Sequence, residues 1–267
     1  MERDKRYLEI ILRPIRLCEN YRPRLGVGRK GGISLAEFQK LYRSDPFYSW
    51  LGLDHRLMYA AHKAAGGMTS IYRQIGIGCE SLVRAILQDE LGLTEEESNW
   101  SYTIKGLNQK TRTLSLDARI SLGSIRDRGK TEKMKQWIKG ISQELEIDSR
   151  IARKLQGVVF EVRQGYKSKD SKRQNADLAN AAMAYTQAYL PCVLVMSTQI
   201  DNDLVIRYRL EKWAILTGRL GKTGPLDSTY AFFREVIGYD LAHFFSRHQA
   251  VFHKEVNQVL QSLLGAK

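Results

Sequence analysis

Apolar and polar positions alternate with a period of two in two stretches of this chain. In residues 114–120, Leu114, Leu116, Ala118 and Ile120 point one way and Ser115, Asp117 and Arg119 the other. In residues 158–164, Val158, Phe160 and Val162 share a face, and Glu161 and Arg163 share the opposite one. Side chains alternate across a strand, so both stretches are predicted strands, each with a carboxylate opposite its apolar row. Residues 192–196 form a third, wholly apolar strand opened by Pro191, and residues 100–105 are a fourth candidate, followed by a turn at Gly106-Leu107-Asn108.

Elsewhere the period is helical. Residues 1–20 carry Tyr7, Ile10, Ile11 and Ile15 on one side, with Pro14 as a candidate kink. Ser34 with Glu37, and Thr94 with Glu97, have the spacing of capping boxes. Asp45-Pro46 starts a short segment. Residues 56–65 are predicted helical and broken by Gly66-Gly67. Thr69 or Ser70 then caps a helix over residues 71–91, striped by Ile75, Cys79, Leu82, Val83, Ile86 and Leu87. Residues 126–156 read as helix, with Met134, Trp137, Ile138 and Ile141 on one face. A small-residue helix capped by Asp170 or Ser171 runs to about residue 189. Strand, helix, strand in that order is a βαβ crossover, so the Glu161 and Val193 strands are expected to be parallel neighbours. Residues 203–216 stay ambiguous, residues 218–225 are a loop, and two helices are expected from Ser228 to about Leu264. The expectation is a single α/β domain over residues 1–267: a core at about 70–200 with a mixed central sheet flanked by helices, and helical extensions over 1–69 and 201–267.

Charge adds a partner class. The 267 residues carry a formal net charge of +13. Such an excess favours polyanions: nucleic acid, an anionic membrane surface or an acidic protein. No apolar run is long enough to span a bilayer, and the charged N-terminus lacks the apolar core of a signal peptide. Cys18, Cys79 and Cys192 lie far apart and have no His at zinc-ligand spacing, which fits reduced thiols in a cytoplasmic protein. The loop Gly26-Val27-Gly28-Arg29-Lys30-Gly31-Gly32 lacks both the preceding strand and the closing Lys-Ser/Thr of a phosphate cradle. It reads as a basic loop able to touch a DNA backbone.

A carboxylate in an otherwise apolar strand is costly to bury unless a cation or a hydrogen-bond donor holds it. Two such strands in a basic chain suggest a metal site acting on a polyanion. The order, a helix with Glu80, a strand with Asp117, a strand with Glu161-Val162-Arg163, a helix and a parallel strand, resembles the core of the PD-(D/E)XK nuclease superfamily and its type II restriction endonucleases. The resemblance covers roughly residues 70–200. It implies that Asp117 and Glu161 bind Mg²⁺, with Glu80 as an optional helix acid, and that the chain hydrolyses phosphodiester bonds in double-stranded DNA. Two positions depart from the pattern. Leu116 stands where the family often has Pro, and Arg163 fills the Lys slot. Arginine stays charged at ordinary pH and cannot act as base. It can stabilise charge developing on the phosphorane, and Lys167 is the alternative source of an amine.

The turn after the Glu161 strand offers Lys167, Lys169, Lys172 and Arg173 to phosphates or guanines, and Gln174 and Asn175 to adenines. A second candidate DNA surface is Thr69, Ser70, Tyr72, Arg73 and Gln74 at the expected start of the Glu80 helix. A homodimer is expected, with Phe232, Phe233, Phe244, Phe245 and Phe252 as a candidate interface. Simpler readings stand beside these. Asp117 can pair with Arg119 or Arg163, Glu161 with Arg163, and Glu80 with Arg84 four residues on. The chain is then a non-catalytic nucleic-acid-binding protein with a nuclease-like fold. A structural subunit of a larger DNA-processing complex and a membrane-surface protein form a third class.

Overall fold

The computed structural model describes residues 2–25, 31–105, 111–165 and 171–264, excepting the side chains of residues 104, 105, 112, 171–176 and 178. Residues 26–30 of the predicted Gly26–Gly32 loop, the turn at Gly106–Asn108, and Lys167, Lys169 and Asp170 lie outside these residues. The chain divides into two compact units: residues 1–78 with 246–267, and residues 79–245.

The first unit begins with α1 (Glu2–Arg16), which buries Tyr7, Ile11, Leu12 and Ile15 and contains Pro14; a 3₁₀ turn, Leu17–Asn20, follows. In α2 (Leu35–Ser44) the expected capping box forms, with Ser34 and Glu37 satisfying each other's backbone N–H groups. The Asp45 carboxylate caps α3 (Pro46–Trp50) by accepting from the N–H groups of Phe47 and Tyr48. Helix α4 (Arg56–Leu91) then runs unbroken through Gly66-Gly67, where sequence predicts a break. These glycines serve close packing. A Cβ on Gly66 would lie 2.0 Å from the Tyr21 hydroxyl, and one on Gly67 would lie 2.7 Å from Leu263 Cδ2. It follows that Thr69 and Ser70 cap nothing. Thr69 is mid-helix, its hydroxyl donating to the Ala65 carbonyl.

The second unit contains the sheets. After the rest of α4 and α5 (Glu95–Ser98), which starts with the Thr94–Glu97 capping box, β1 (Trp100–Lys105) and β2 (Thr111–Leu116) pair antiparallel. The single strand predicted over residues 114–120 is divided. Asp117 is a bend, and β3 (Ala118–Ser121) belongs to a different sheet. The burial alternation survives the division: Leu116, Ala118 and Ile120 are buried while Asp117 and Arg119 are half-buried. The predicted helix over 126–156 is two, α6 (Arg128–Glu144) and α7 (Ser149–Ala152). They are separated by a turn in which Glu146 adopts a positive φ. The face predicted for α6, Met134, Trp137, Ile138 and Ile141, is buried.

Strand β4 (Gly157–Arg163) lies antiparallel to β3 and parallel to β5 (Tyr189–Val195), with α8 (Ser171–Thr186) as the crossover. The parallel pairing is as expected. The helix ends earlier than expected, at Thr186, with Ala188 at a φ of 58° turning the chain directly into β5. Pro191 lies inside β5 rather than at its start. It is tolerated because the next strand pairs only from Cys192 onward, so Pro191 has a strand partner on one side alone. The ambiguous residues 203–216 resolve into α9 (Asn202–Leu210) and β6 (Ala214–Leu216), the latter parallel to β5. The sheet order is β3-β4-β5-β6. All of β4 and β5 is buried, the mark of parallel strands covered on both faces.

The chain closes with α10 (Thr229–Phe232), a π-turn at Phe233–Ile237, α11 (Leu241–Arg247) and α12 (Gln249–Leu264), where sequence predicts two helices. The fold is thus mixed α/β and mostly helical, with a four-stranded mixed sheet and helical terminal segments, as predicted at that level. The candidate phenylalanine interface is corrected at three of its five residues, while Phe245 and Phe252 are half-buried. Phe232, Phe233 and Phe244 are fully buried, with the Phe232 ring 4.7 Å from Trp137 and 5.9 Å from Phe160. They are core, not surface. Among the described residues, no helix is long and apolar enough to cross a membrane.

Candidate active site

Asp117 is the single residue between β2 and β3. Its N–H donates to the Phe160 carbonyl at 2.9 Å, and its Oδ2 accepts from the Val162 N–H at 2.7 Å. These bonds fall on either side of Glu161 and fix Asp117 against β4 at that point. An aspartate suits a bend because its carboxylate can take a backbone N–H directly. Arg84 on α4 secures the bend, donating from Nε at 3.1 Å and Nη2 at 2.8 Å to the Asp117 carbonyl.

Val159, Glu161 and Arg163 share the face of β4 that packs toward α8. Val159 joins a core with Ala181, Ala184, Tyr208 and Trp213. Glu161 and Arg163 continue that row and are only 8% exposed each. Arg163 Nη2 pairs with Glu161 Oε1 and lies 3.5 Å from Asp177 Oδ1. Asp177, on α8, is 4% exposed and accepts at Oδ2 from the Tyr208 hydroxyl at 2.5 Å. One turn on, the Tyr102 hydroxyl donates to Asn180 Oδ1 at 2.6 Å. Buried charges persist when they are paired and hydrogen-bonded, and a planar guanidinium with several donors can serve two carboxylates at once.

The expected residues therefore sort into groups. Asp117 is hydrogen-bonded to the β4 backbone on either side of Glu161, and Arg163 is an ion-pair partner of Glu161. Arg119, a candidate partner for Asp117, instead donates to the carbonyls of Glu96 and Glu97 at the end of α5. Arg84, expected opposite Glu80, serves the Asp117 carbonyl. Glu80 is half-buried beside Cys79, whose thiol is pushed up to about 12 by burial and then by the Glu80 charge. Among the described residues, no three His, Cys, Asp or Glu side chains are grouped so as to hold a metal ion. Lys172, Arg173, Gln174 and Asn175 fall in the first turns of α8. Thr69, Ser70, Tyr72, Arg73 and Gln74 lie in the middle of α4, so the helix N-terminus that recommended them for phosphate contact does not exist there. Thr69, Tyr72 and Arg73 are nonetheless exposed. A cavity of about 660 Å³, lined by Leu122, Lys135, Ile138, Lys139, Arg153 and Leu155 among others, contains none of these residues.

Sequence reasoning missed Asp177 and Tyr208. Asp177 had a signal. It stands four and seven residues before Ala181 and Ala184, on the stripe that a small-residue helix turns to its sheet. An acid on that stripe must meet a donor. Tyr208 had none, because residues 203–216 gave no clear period. No protein-family model, curated protein or solved structure matches the chain.

Proposed function

We propose that this chain is a Mg²⁺-dependent, sequence-specific endonuclease of double-stranded DNA, of the type II restriction kind, built on a PD-(D/E)XK-like core. The observation that carries the reading is the docking of Asp117 onto β4 at Glu161, with the Arg163 guanidinium on the same strand face. The antiparallel β3–β4 pair and the parallel β4–α8–β5 crossover support it, since this is the element order of the resemblance.

Asp117 and Glu161 are the residues that would hold Mg²⁺. Their oxygen chemistry suits it, and Mg²⁺ is commonly held by one or two carboxylates, its remaining positions taken by water and substrate phosphate. Asp117 Oδ2 is engaged by the Val162 N–H and Glu161 Oε1 by Arg163, so the proposed two-acid site would use the other oxygen of each and does not need Glu80 as a third acid. The bound metal supplies Lewis acidity at the phosphoryl oxygen and a lowered pKa for a bound water. Arg163 offsets charge developing on the phosphate and takes no proton. Lys167, just past β4, is the proposed amine. Lys167, Lys169, Lys172 and Arg173 bind phosphates or guanines, and Gln174 and Asn175 read adenines. Thr69, Ser70, Tyr72, Arg73 and Gln74 form a secondary contact through their exposed members. The net charge of +13 gathers the DNA. The proposal includes a cytoplasmic homodimer acting on a palindromic site.

The test is cleavage by Asp117→Asn and Glu161→Gln. Each is expected to abolish Mg²⁺-dependent cutting while DNA binding in a gel-shift assay survives. Full cleavage by either variant removes that residue from the site. A second reading, a non-catalytic DNA-binding protein, is favoured by the sharing of Arg163 between Glu161 and Asp177. It predicts DNA affinity indifferent to Mg²⁺ and no cutting by the unaltered chain.

A further inference from the structure

Arg163 reaches two acids, and only one of them belongs to the strand motif. Asp177 comes from α8, fourteen residues on, and it is the more deeply buried of the two. Its Oδ1 faces Arg163 Nη2 at 3.5 Å, and its Oδ2 accepts from the Tyr208 hydroxyl. Tyr208 is itself 1% exposed and set edge-on against Trp213, with ring centroids 5.7 Å apart. The order is therefore Glu161, Arg163, Asp177, Tyr208, a row of polar groups whose inner end is locked in the aromatic core.

A long arginine side chain has many rotamers, and a site that uses its charge must remove that freedom in advance. Glu161 alone cannot do so if it also serves a metal ion. A second carboxylate, immobilised from behind by a tyrosine, can. We infer that Asp177, oriented by Tyr208, is a positioning residue that holds the Arg163 guanidinium beside Glu161 for phosphodiester cleavage. This inference rests on the nuclease reading of the Asp117–Glu161 site and adds residues that the resemblance does not supply.

The test is single-turnover cleavage of duplex DNA by the full chain with Mg²⁺, for the unaltered protein, Asp177→Asn, Tyr208→Phe, Arg163→Ala and the Arg163→Ala/Asp177→Asn double variant. Asp177→Asn is expected to slow cleavage about 10- to 100-fold, the usual cost of losing a supporting residue behind a metal site, with little change in KM. Tyr208→Phe, which keeps the packing and removes only the hydroxyl, is expected to slow it less. In the Arg163→Ala background, Asp177→Asn should have no further effect, because its action passes through Arg163. An unaltered rate in both Asp177→Asn and Tyr208→Phe overturns the inference while leaving the nuclease reading intact. Effects of Asp177→Asn that multiply with those of Arg163→Ala do the same, since a residue acting on stability alone would behave that way. Absence of cleavage by the unaltered protein overturns the nuclease reading itself, and this inference with it.

Discussion

At the scale of single residues, burial decides what each charge can do. Arg163 shares one guanidinium between Glu161 and Asp177 in a place almost closed to water. Losing one partner of such a group typically costs about 3–5 kcal/mol. The same burial raises the thiols of Cys79 and Cys192. Cys18, Cys79 and Cys192 are free and buried, and burial raises the Cys79 thiol from 9.0 to about 12. The unfolded chain releases that proton first, so this contribution is complete below about pH 9 and is lost as pH rises toward 12. The urea midpoint of the native protein is expected to fall across that window, and less steeply in Cys79→Ala. Parallel curves for the two proteins would remove Cys79 from the alkaline transition. Asp117, Glu161 and Arg163 were legible because strand alternation is local and a carboxylate opposite an apolar row stands out. The Asp177–Tyr208 bond joins residues 31 apart through tertiary packing, which no local period encodes.

At the scale of elements, local propensity and tertiary packing disagree most clearly in α4. Gly66-Gly67 has the chemistry of a break, yet the helix continues because the glycines admit Tyr21 and Leu263 at distances a Cβ would forbid. Opposite outcomes are therefore expected within one helix. Gly76→Ala meets nothing within 4 Å and should stabilise by up to about 1 kcal/mol through helix propensity. Gly66→Ala places its methyl against the Tyr21 hydroxyl, and an overpacking cost of about 1–3 kcal/mol should exceed that gain. Thermal melts of both variants check this; a higher melting temperature for Gly66→Ala would show that Tyr21 moves aside freely. The same competition explains the divided strand at Asp117. The alternation over 114–120 was readable, but the exchange of partners from β1 to β4 depends on long-range pairing. The two capping boxes, Ser34–Glu37 and Thr94–Glu97, were legible because each acts within three residues of itself, whereas the cap expected at Thr69 or Ser70 failed because α4 runs through it.

At the scale of the whole molecule, the two units differ in charge. Residues 1–78 and 246–267 hold 17 Lys and Arg against 8 Asp and Glu, whereas residues 79–245 hold 25 against 21. Most of the excess thus lies outside the unit that carries Asp117 and Glu161; under the proposed function, that first unit would add to the attraction of a polyanion. Within the second unit, the docked Asp117, the shared Arg163 and the β4–α8–β5 crossover converge at one end of β4. The most direct measurement is incubation of the pure protein with a long duplex of known sequence, in Mg²⁺ and in EDTA, followed by sequencing of the ends. The nuclease account predicts discrete fragments in Mg²⁺ alone, all ending in one shared sequence. DNA left intact in both conditions, while still bound by the protein, would contradict it and favour the non-catalytic reading, with Arg163 as the residue that closed the site.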